Sequence, residues 1–323
     1  MTKPLSCVLI TGSAGLIGTH LAEHYLKQDY QVIGLDNYIT GSTINTNYLA
    51  EKYPDQFQFI EHDVSRSWPT INAEDVKFIF HLASPASVKS FQKYPLETMW
   101  SNSTGLQNAL DFSNNNTQKK KPRVIFASTS EIYGSPLSSP QKETDWGHAN
   151  SFGERSCYDE SKRFGESLIY STNKIYSTQH GLVRIFNTYG PRMNILDDRV
   201  PNTFILNALN NKDLEVYGDG QQTRSFCYID DLINGLVRYA DSNLAEPINL
   251  GNDTEIKVLD LAHKIIKMID SKSKIVSKKL PQDDPPQRRP DLTLAKKYLN
   301  YSPNVSLDEG LSKMTNWLKT SVI

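Results

Sequence analysis

Tyr158 and Lys162 stand four positions apart in Cys157-Tyr158-Asp159-Glu160-Ser161-Lys162-Arg163. On a helix that spacing puts a phenol one turn from an ammonium. A free phenol has a pKa of about 10 and a nearby cation favours its phenolate, so the pair predicts a tyrosine able to accept a proton near neutral pH. A second group lies near the start of the chain, where Gly12-Ser13-Ala14-Gly15-Leu16-Ile17-Gly18 follows the apolar run Cys7-Val8-Leu9-Ile10. There Gly12 would allow a sharp turn and Gly15 would let backbone approach a pyrophosphate. Gly18 would let a helix opening at Leu16 and Ile17 pack closely on the strand, its N-terminus facing phosphate. The spacing departs from the usual G-x-G-x-x-G. A further apolar run, Gln31 to Leu35, ends in Asp36. An acid there accepts hydrogen bonds from two ribose hydroxyls and repels a 2′-phosphate, and Asn37-Tyr38 brings no arginine to neutralise it, so NAD rather than NADP is the expected cofactor.

These residues need elements to hold them. Cys7 to Ile10 reads as a buried strand and Leu16 to Leu26 as an amphipathic helix. Strand-like runs then recur at Phe57 to Glu61, Val76 to Leu82, Val124 to Ala127 and Leu182 to Phe186, with helical stretches between them. That alternation implies an α/β fold, a Rossmann-type doubly wound parallel sheet. After Phe186 the rhythm breaks into irregular segments such as Asn187 to Arg199 and Pro281 to Pro290, the pattern expected of a smaller C-terminal substrate-binding domain. Tyr228 to Asn252 is expected to return to the large domain. The division is therefore 1–187 plus 228–253 for the NAD-binding part and 188–227 plus 254–323 for the smaller part.

Composition narrows the class without choosing a reaction. A length of 323 residues allows a large core and about two domains. The net charge of −1, with both signs interspersed, favours neither nucleic acid nor an anionic membrane as partner. Cys7, Cys157 and Cys227 are far apart and odd in number, which argues against a disulfide framework or a zinc site, so no metal is expected. The N-terminal apolar run is too short to span a bilayer and lacks the flanks of a signal peptide. A cytoplasmic enzyme with reduced thiols is the expectation.

Five stretches carry a resemblance. They are His81-Leu82-Ala83-Ser84-Pro85-Ala86-Ser87, Ala127-Ser128-Thr129-Ser130-Glu131-Ile132-Tyr133-Gly134, Arg155-Ser156-Cys157-Tyr158-Asp159-Glu160, Arg184-Ile185-Phe186-Asn187-Thr188-Tyr189-Gly190-Pro191-Arg192, and Gln222-Thr223-Arg224-Ser225-Phe226. With the glycine turn, they make the whole chain resemble the extended short-chain dehydrogenase/reductase superfamily of nucleotide-sugar enzymes. Within it the second and third stretches are most similar to the UDP-glucuronate decarboxylases. The resemblance implies a catalytic set of Thr129, Ser130, Glu131, Tyr158, Lys162 and Arg224. It places Asn37, Asp63, Val64, Leu82, Ala83, Ser84 and Asn102 around the NAD, with Lys162 also bonding its nicotinamide ribose. It places Ser87, Glu131, Asn187, Arg192, Val200, Tyr217, Arg224 and Arg288 around a UDP-sugar. Arg155 and Asp159 either act in the site or brace the catalytic helix. The implied reaction is decarboxylation through a 4-keto sugar with NAD recycled, in a homodimer formed by the helices after Phe91 and after Tyr158. Val88-Lys89-Ser90-Phe91 reads closer to epimerases, so a 4-epimerase, a 4,6-dehydratase or, more remotely, a non-catalytic NAD sensor stays open.

Overall fold

The computed structural model describes residues 6–71, 73, 75–279 and 287–321. Its centre is a seven-stranded sheet in the order β11-β6-β5-β4-β1-β2-β3, every neighbouring pair parallel. The first part runs β1 (Cys7–Thr11), α1 (Leu16–Leu26), β2 (Gln31–Asp36), α2 (Thr43–Lys52), β3 (Phe57–Glu61) and β4 (Val76–His81). After it come α3 (Val88–Lys93), α4 (Pro95–Asn102), α5 (Thr104–Asn114), β5 (Arg123–Thr129), α6 (Ser156–Tyr176) and β6 (Gly181–Ile185). β1 is buried along its whole length and β4 and β5 nearly so, which is why these strands read as unbroken apolar runs: parallel strands are covered by helices on both faces. The chain reverses its winding between β1 and β4, and ligands of such sheets bind at that crevice, beyond the carboxyl ends of the strands.

Beyond β6 the structure is more regular than the sequence suggests. β7 (Thr188–Tyr189), α7 (Val200–Leu209), β8 (Leu214–Tyr217), β9 (Thr223–Ser225) and β10 (Cys227–Tyr228) precede α8 (Ile229–Asp241) and β11 (Ile248–Leu250). β11 pairs with β6 at the edge of the main sheet. Then follow β12 (Glu255–Lys257), α9 (Val258–Ile269), β13 (Ile275–Lys278), β14 (Gln287–Arg288), α10 (Thr293–Leu299) and α11 (Leu307–Ser321). Three small sheets form here, β10-β7, β12-β9-β14 and β13-β8. The expectation of an irregular Asn187 to Arg199 is corrected at Thr188–Tyr189. Most of the segment expected to be irregular from Pro281 lies outside the described residues, and Gln287–Arg288 is a strand. Among the described residues no helix is long and apolar enough to cross a membrane.

Candidate active site

Three elements deliver the chemical groups to one pocket. β5 runs two residues further than its apolar run, because Ser128 and Thr129 still pair with Arg184 and Ile185 of β6. A short 3-10 turn, Ser130–Tyr133, follows, with the Thr129 hydroxyl accepting from the Glu131 amide at 3.2 Å. α6 then packs across β5. Gly165 makes that possible, since a Cβ there would stand 2.5 Å from Phe126. The buried face of α6 carries Tyr158, Lys162 and Gly165, and Tyr158 is stacked on Phe91 with ring centroids 5.1 Å apart.

The electrostatics differ from the simple tyrosine–lysine picture. Lys162 donates to the Ala127 carbonyl at 2.7 Å and stands 5.7 Å from the centre of the Tyr158 ring. Burial pushes its ammonium down to about 7. Burial also pushes the Tyr158 phenol up to about 12; a hydrogen bond from Thr129 and then the charge of Arg199 pull the other way, while Glu131 and Asp159 add to the rise. In the chain alone the charge of Arg199 favours the phenolate. Arg199 is itself held by Asp197 through Nε to Oδ1 at 2.9 Å and Nη2 to Oδ2 at 2.6 Å.

Glu131 sits at the centre of a buried charge cluster. Its Oε2 accepts from Arg155 and, at 3.0 Å, from Arg288. Burial would raise this carboxyl, but the guanidinium groups of Arg288 and Arg155 overcome it and hold it below the usual carboxylate range. The group is therefore ionised and accepts hydrogen bonds. Arg288 also donates to the carbonyls of Ser130 and Gly134, at 2.9 and 3.1 Å. Arg224 pairs with Arg288 in the β9–β14 ladder, and its charge also helps to keep Glu131 ionised.

Most of the residues expected from sequence line two adjoining pockets. The larger contains Leu16, Ile17, Gly18, Ser87, Thr129, Ser130, Glu131, Tyr158, Lys162, Asn187 and Arg192; the smaller contains Asp36, Asn37, Asp63, Val64 and Ala83, with Gly12, Gly15, Leu82 and Ser84 shared. The two divide as a dinucleotide would. A Cβ added at Gly15 would approach only the Gly12 carbonyl, at 3.3 Å, so this backbone is open to the pocket. Gly18 leaves no such room, its Cβ falling 2.1 Å from that same carbonyl. Asp36 accepts from the Ala14 and Tyr38 amides at 3.0 and 2.8 Å and keeps lone pairs for ribose hydroxyls. These residues fit NAD.

Several expected residues make structural bonds or stand outside the larger pocket. Asn102 is fully buried behind the pocket and donates to Ser84 and Ser161 at 3.0 and 3.1 Å, so it braces α6 rather than facing a ligand. Asp63 lies two residues past β3 and accepts from Ser65, holding a turn at the edge of the smaller pocket. Val200, Tyr217, Arg224 and Arg288 do not line the larger pocket among the described residues. Arg288 is consumed by Glu131 and backbone carbonyls, and Tyr217 is 41% exposed at the end of β8. Arg192 lies over the Tyr48 ring, 3.4 Å from its centre, and its carbonyl accepts from Asn45. Arg155 and Arg199 also line the larger pocket; Arg155 reaches Glu131 from a distant segment, whereas Arg199 is held by Asp197 two residues before it, and neither pairing leaves a pattern in the sequence.

Residues 8–251 match the profile of the NAD dependent epimerase/dehydratase family. The chain belongs to that family. It is 40% identical over 312 residues, 97% of its length and 72% of the relative's, to UDP-glucuronic acid decarboxylase 1 of Xenopus tropicalis. Among solved structures it is similar to the UDP-glucose 4-epimerase of Thermotoga maritima with UDP-glucose, at TM-score 0.88 and 25% identity over 98% of this chain and 100% of that one. It is also similar to the UDP-glucuronic acid 4-epimerase of Bacillus cereus with UDP-glucuronic acid and NAD, at TM-score 0.83 and 29% identity over 97% and 99%. Within this family the fold is common to several reactions, and the side chains at the sugar end of the pocket must distinguish them.

Proposed function

We infer that this family member converts UDP-glucuronate to UDP-xylose, with NAD retained and regenerated. The observation that carries the reading is Glu131, ionised beside Tyr158 and gripped by Arg155 and Arg288, within a chain 40% identical to a UDP-glucuronic acid decarboxylase. Bound NAD would supply what side chains lack, a reversible hydride acceptor facing C4 of the sugar. Burial favours the protonated phenol in the chain alone; the positive charge of bound NAD would favour the phenolate, and Tyr158 would then accept the proton of the 4-hydroxyl, with Thr129 bonded to its oxygen. Once C4 is a ketone, the C6 carboxylate lies β to a carbonyl, and Tyr158, again protonated, hydrogen-bonds the C4 oxygen that takes up the electron pair released as carbon dioxide leaves. Ser130 and Glu131 hold the sugar ring at its C5/C6 end, and Arg155 and Arg199 keep that end of the pocket positive. Asn187 and Arg192 lie where a nucleotide diphosphate would run.

The exposed apolar residues Leu96, Met99 and Trp100 on α4 and Phe164 on α6 support a homodimer formed through these two packed helices. Product analysis by mass tests the reaction. With UDP-glucuronate the donor should lose carbon dioxide, whereas a dehydratase removes water and an epimerase leaves the mass unchanged. Tyr158→Phe should reduce turnover by about 10²- to 10⁴-fold while NAD stays bound. Full activity in that variant removes the base from this mechanism.

A further inference from the structure

We propose that Asp159 is a buried acid that takes up a proton when a uronate carboxylate enters the sugar end of the pocket. The inference rests on the decarboxylase reading. Asp159 follows Tyr158 on α6, is 4% exposed and does not line the pocket. No donor among the described residues reaches its Oδ1. Its Oδ2 stands 3.9 Å from Arg155 Nε, too far for a hydrogen bond. A buried carboxylate held this loosely needs either a better partner or a proton.

The partner is already shared. Arg155 binds Glu131 while standing over Asp159, and it also lines the pocket. The charged and titratable groups around Asp159 are Glu131 after β5, Arg288 on β14, and Arg155, Cys157, Tyr158 and Glu160 at the start of α6. Burial and then the charge of Glu131 push the Asp159 carboxyl up to about 7, against the pull of Arg155 and Arg288. Its two forms are thus balanced near neutral pH. A third carboxylate drawn to the same arginines shifts that balance toward the protonated acid.

The reaction needs this proton. When the C5–C6 bond breaks, its electron pair passes into the C4 carbonyl and returns to C5, where a C–H bond forms. A carboxylate and one proton become carbon dioxide and a C–H bond, with no net oxidation. Epimerisation and dehydration consume no proton. Asp159 would store a proton as the substrate binds and pass it to Glu131, which gives it to C5 as carbon dioxide leaves and is ionised again. Asp159 touches neither sugar nor cofactor and acts through Arg155 and Glu131, so it is a positioning residue.

Calorimetric titration of the NAD-loaded Tyr158→Phe protein, with turnover suppressed, tests this in two buffers of different ionisation enthalpy at pH 7.5. UDP-glucuronate should bind with uptake of roughly half a proton, and UDP-xylose, which has no carboxylate, with none. Adding Asp159→Asn should abolish the uptake and Asp159→Glu should restore part of it. Equal uptake with Asp159→Asn, or none in the parent, overturns the proposal. Should Asp159→Asn fail to fold, the protein carrying Tyr158→Phe and Lys162→Met decides, because it lacks the other group that titrates near 7: its uptake should still peak between about pH 7 and 8 and vanish below about pH 6, and a flat profile is fatal. Failure of the decarboxylase reading would show separately, as intact protein that releases no carbon dioxide from UDP-glucuronate.

Discussion

Lys162 shows what the site costs the fold. Its ammonium is 3% exposed, accepts no counter-charge at hydrogen-bond distance among the described residues, and is pushed down to about 7 by burial. In the unfolded chain a lysine titrates near 10.4. The charged form is the one disfavoured in the fold, so this contribution to stability is full above about pH 10.5 and is lost as pH falls toward 7, below which it stays constant. At pH 8 the penalty is roughly 3 kcal/mol, of which the bond to the Ala127 carbonyl returns about 1 to 2 kcal/mol. Lys162→Met should therefore raise the melting temperature by a few degrees near pH 7 to 8 while turnover collapses, and the gain should shrink as pH approaches 10. Thermal unfolding followed by circular dichroism across that range checks it; a variant less stable than the parent at pH 7 contradicts the assignment of a strained, buried ammonium. The same pair also marks a limit of reading by spacing. Four residues on a helix were enough to bring Tyr158 and Lys162 together, but whether the lysine lowers the phenol depends on depth of burial and on Arg199, which enters from a loop some forty positions away.

At the level of elements, legibility followed locality. α1 and β3 have the limits their patterns suggest, because each is decided by its own periodicity and the residues that flank it. β5 was read short at Ala127. Hydroxyls at Ser128 and Thr129 look like a loop in isolation, yet β6 pairs with both, and Ser128 donates to Glu166 at 2.5 Å. The small sheets are hidden for the same reason: β9 finds β14 more than sixty residues later, and strands of two to four residues carry no clear period of their own. Arg288, expected around the UDP-sugar, grips Glu131, a contact that follows from this pairing. The element that most directly carries the chemistry is α6, and its distance from β5 is set at Gly165. Gly165→Ala would press a methyl against the Phe126 ring and displace the helix turn next to Lys162. A loss of about 1 to 3 kcal/mol is expected, with turnover falling by more than nucleotide-sugar binding does. Denaturant melts and a comparison of kcat with KM would detect the split, and an unchanged kcat would mean that α6 tolerates the shift.

For the whole molecule, the site and the proposed dimer share one helix. α6 turns Tyr158, Lys162, Gly165 and Ile169 inward, while Phe164 and Ile175 remain 52% and 74% exposed on the same helix. α4 packs against it and leaves Leu96, Met99 and Trp100 open to solvent at positions i, i+3 and i+4, a stripe of the kind that seats another helix. An isolated chain would keep this surface wet at a cost of about 25 cal/mol per Å² of apolar area, which a second copy of the same face removes by two-fold contact. Replacing Trp100 and Phe164 together by glutamate puts like charges into that contact. Light scattering should then report a chain of half the parental mass. Because α6 also supports the base, kcat and melting temperature should fall together in the monomer, while NAD affinity, set at the other side of the sheet by Gly12 to Gly18 and Asp36, should change little. A parent already monomeric at micromolar concentration would remove the dimer, and a fully active monomer would show that α4 and the sheet hold α6 in place without help.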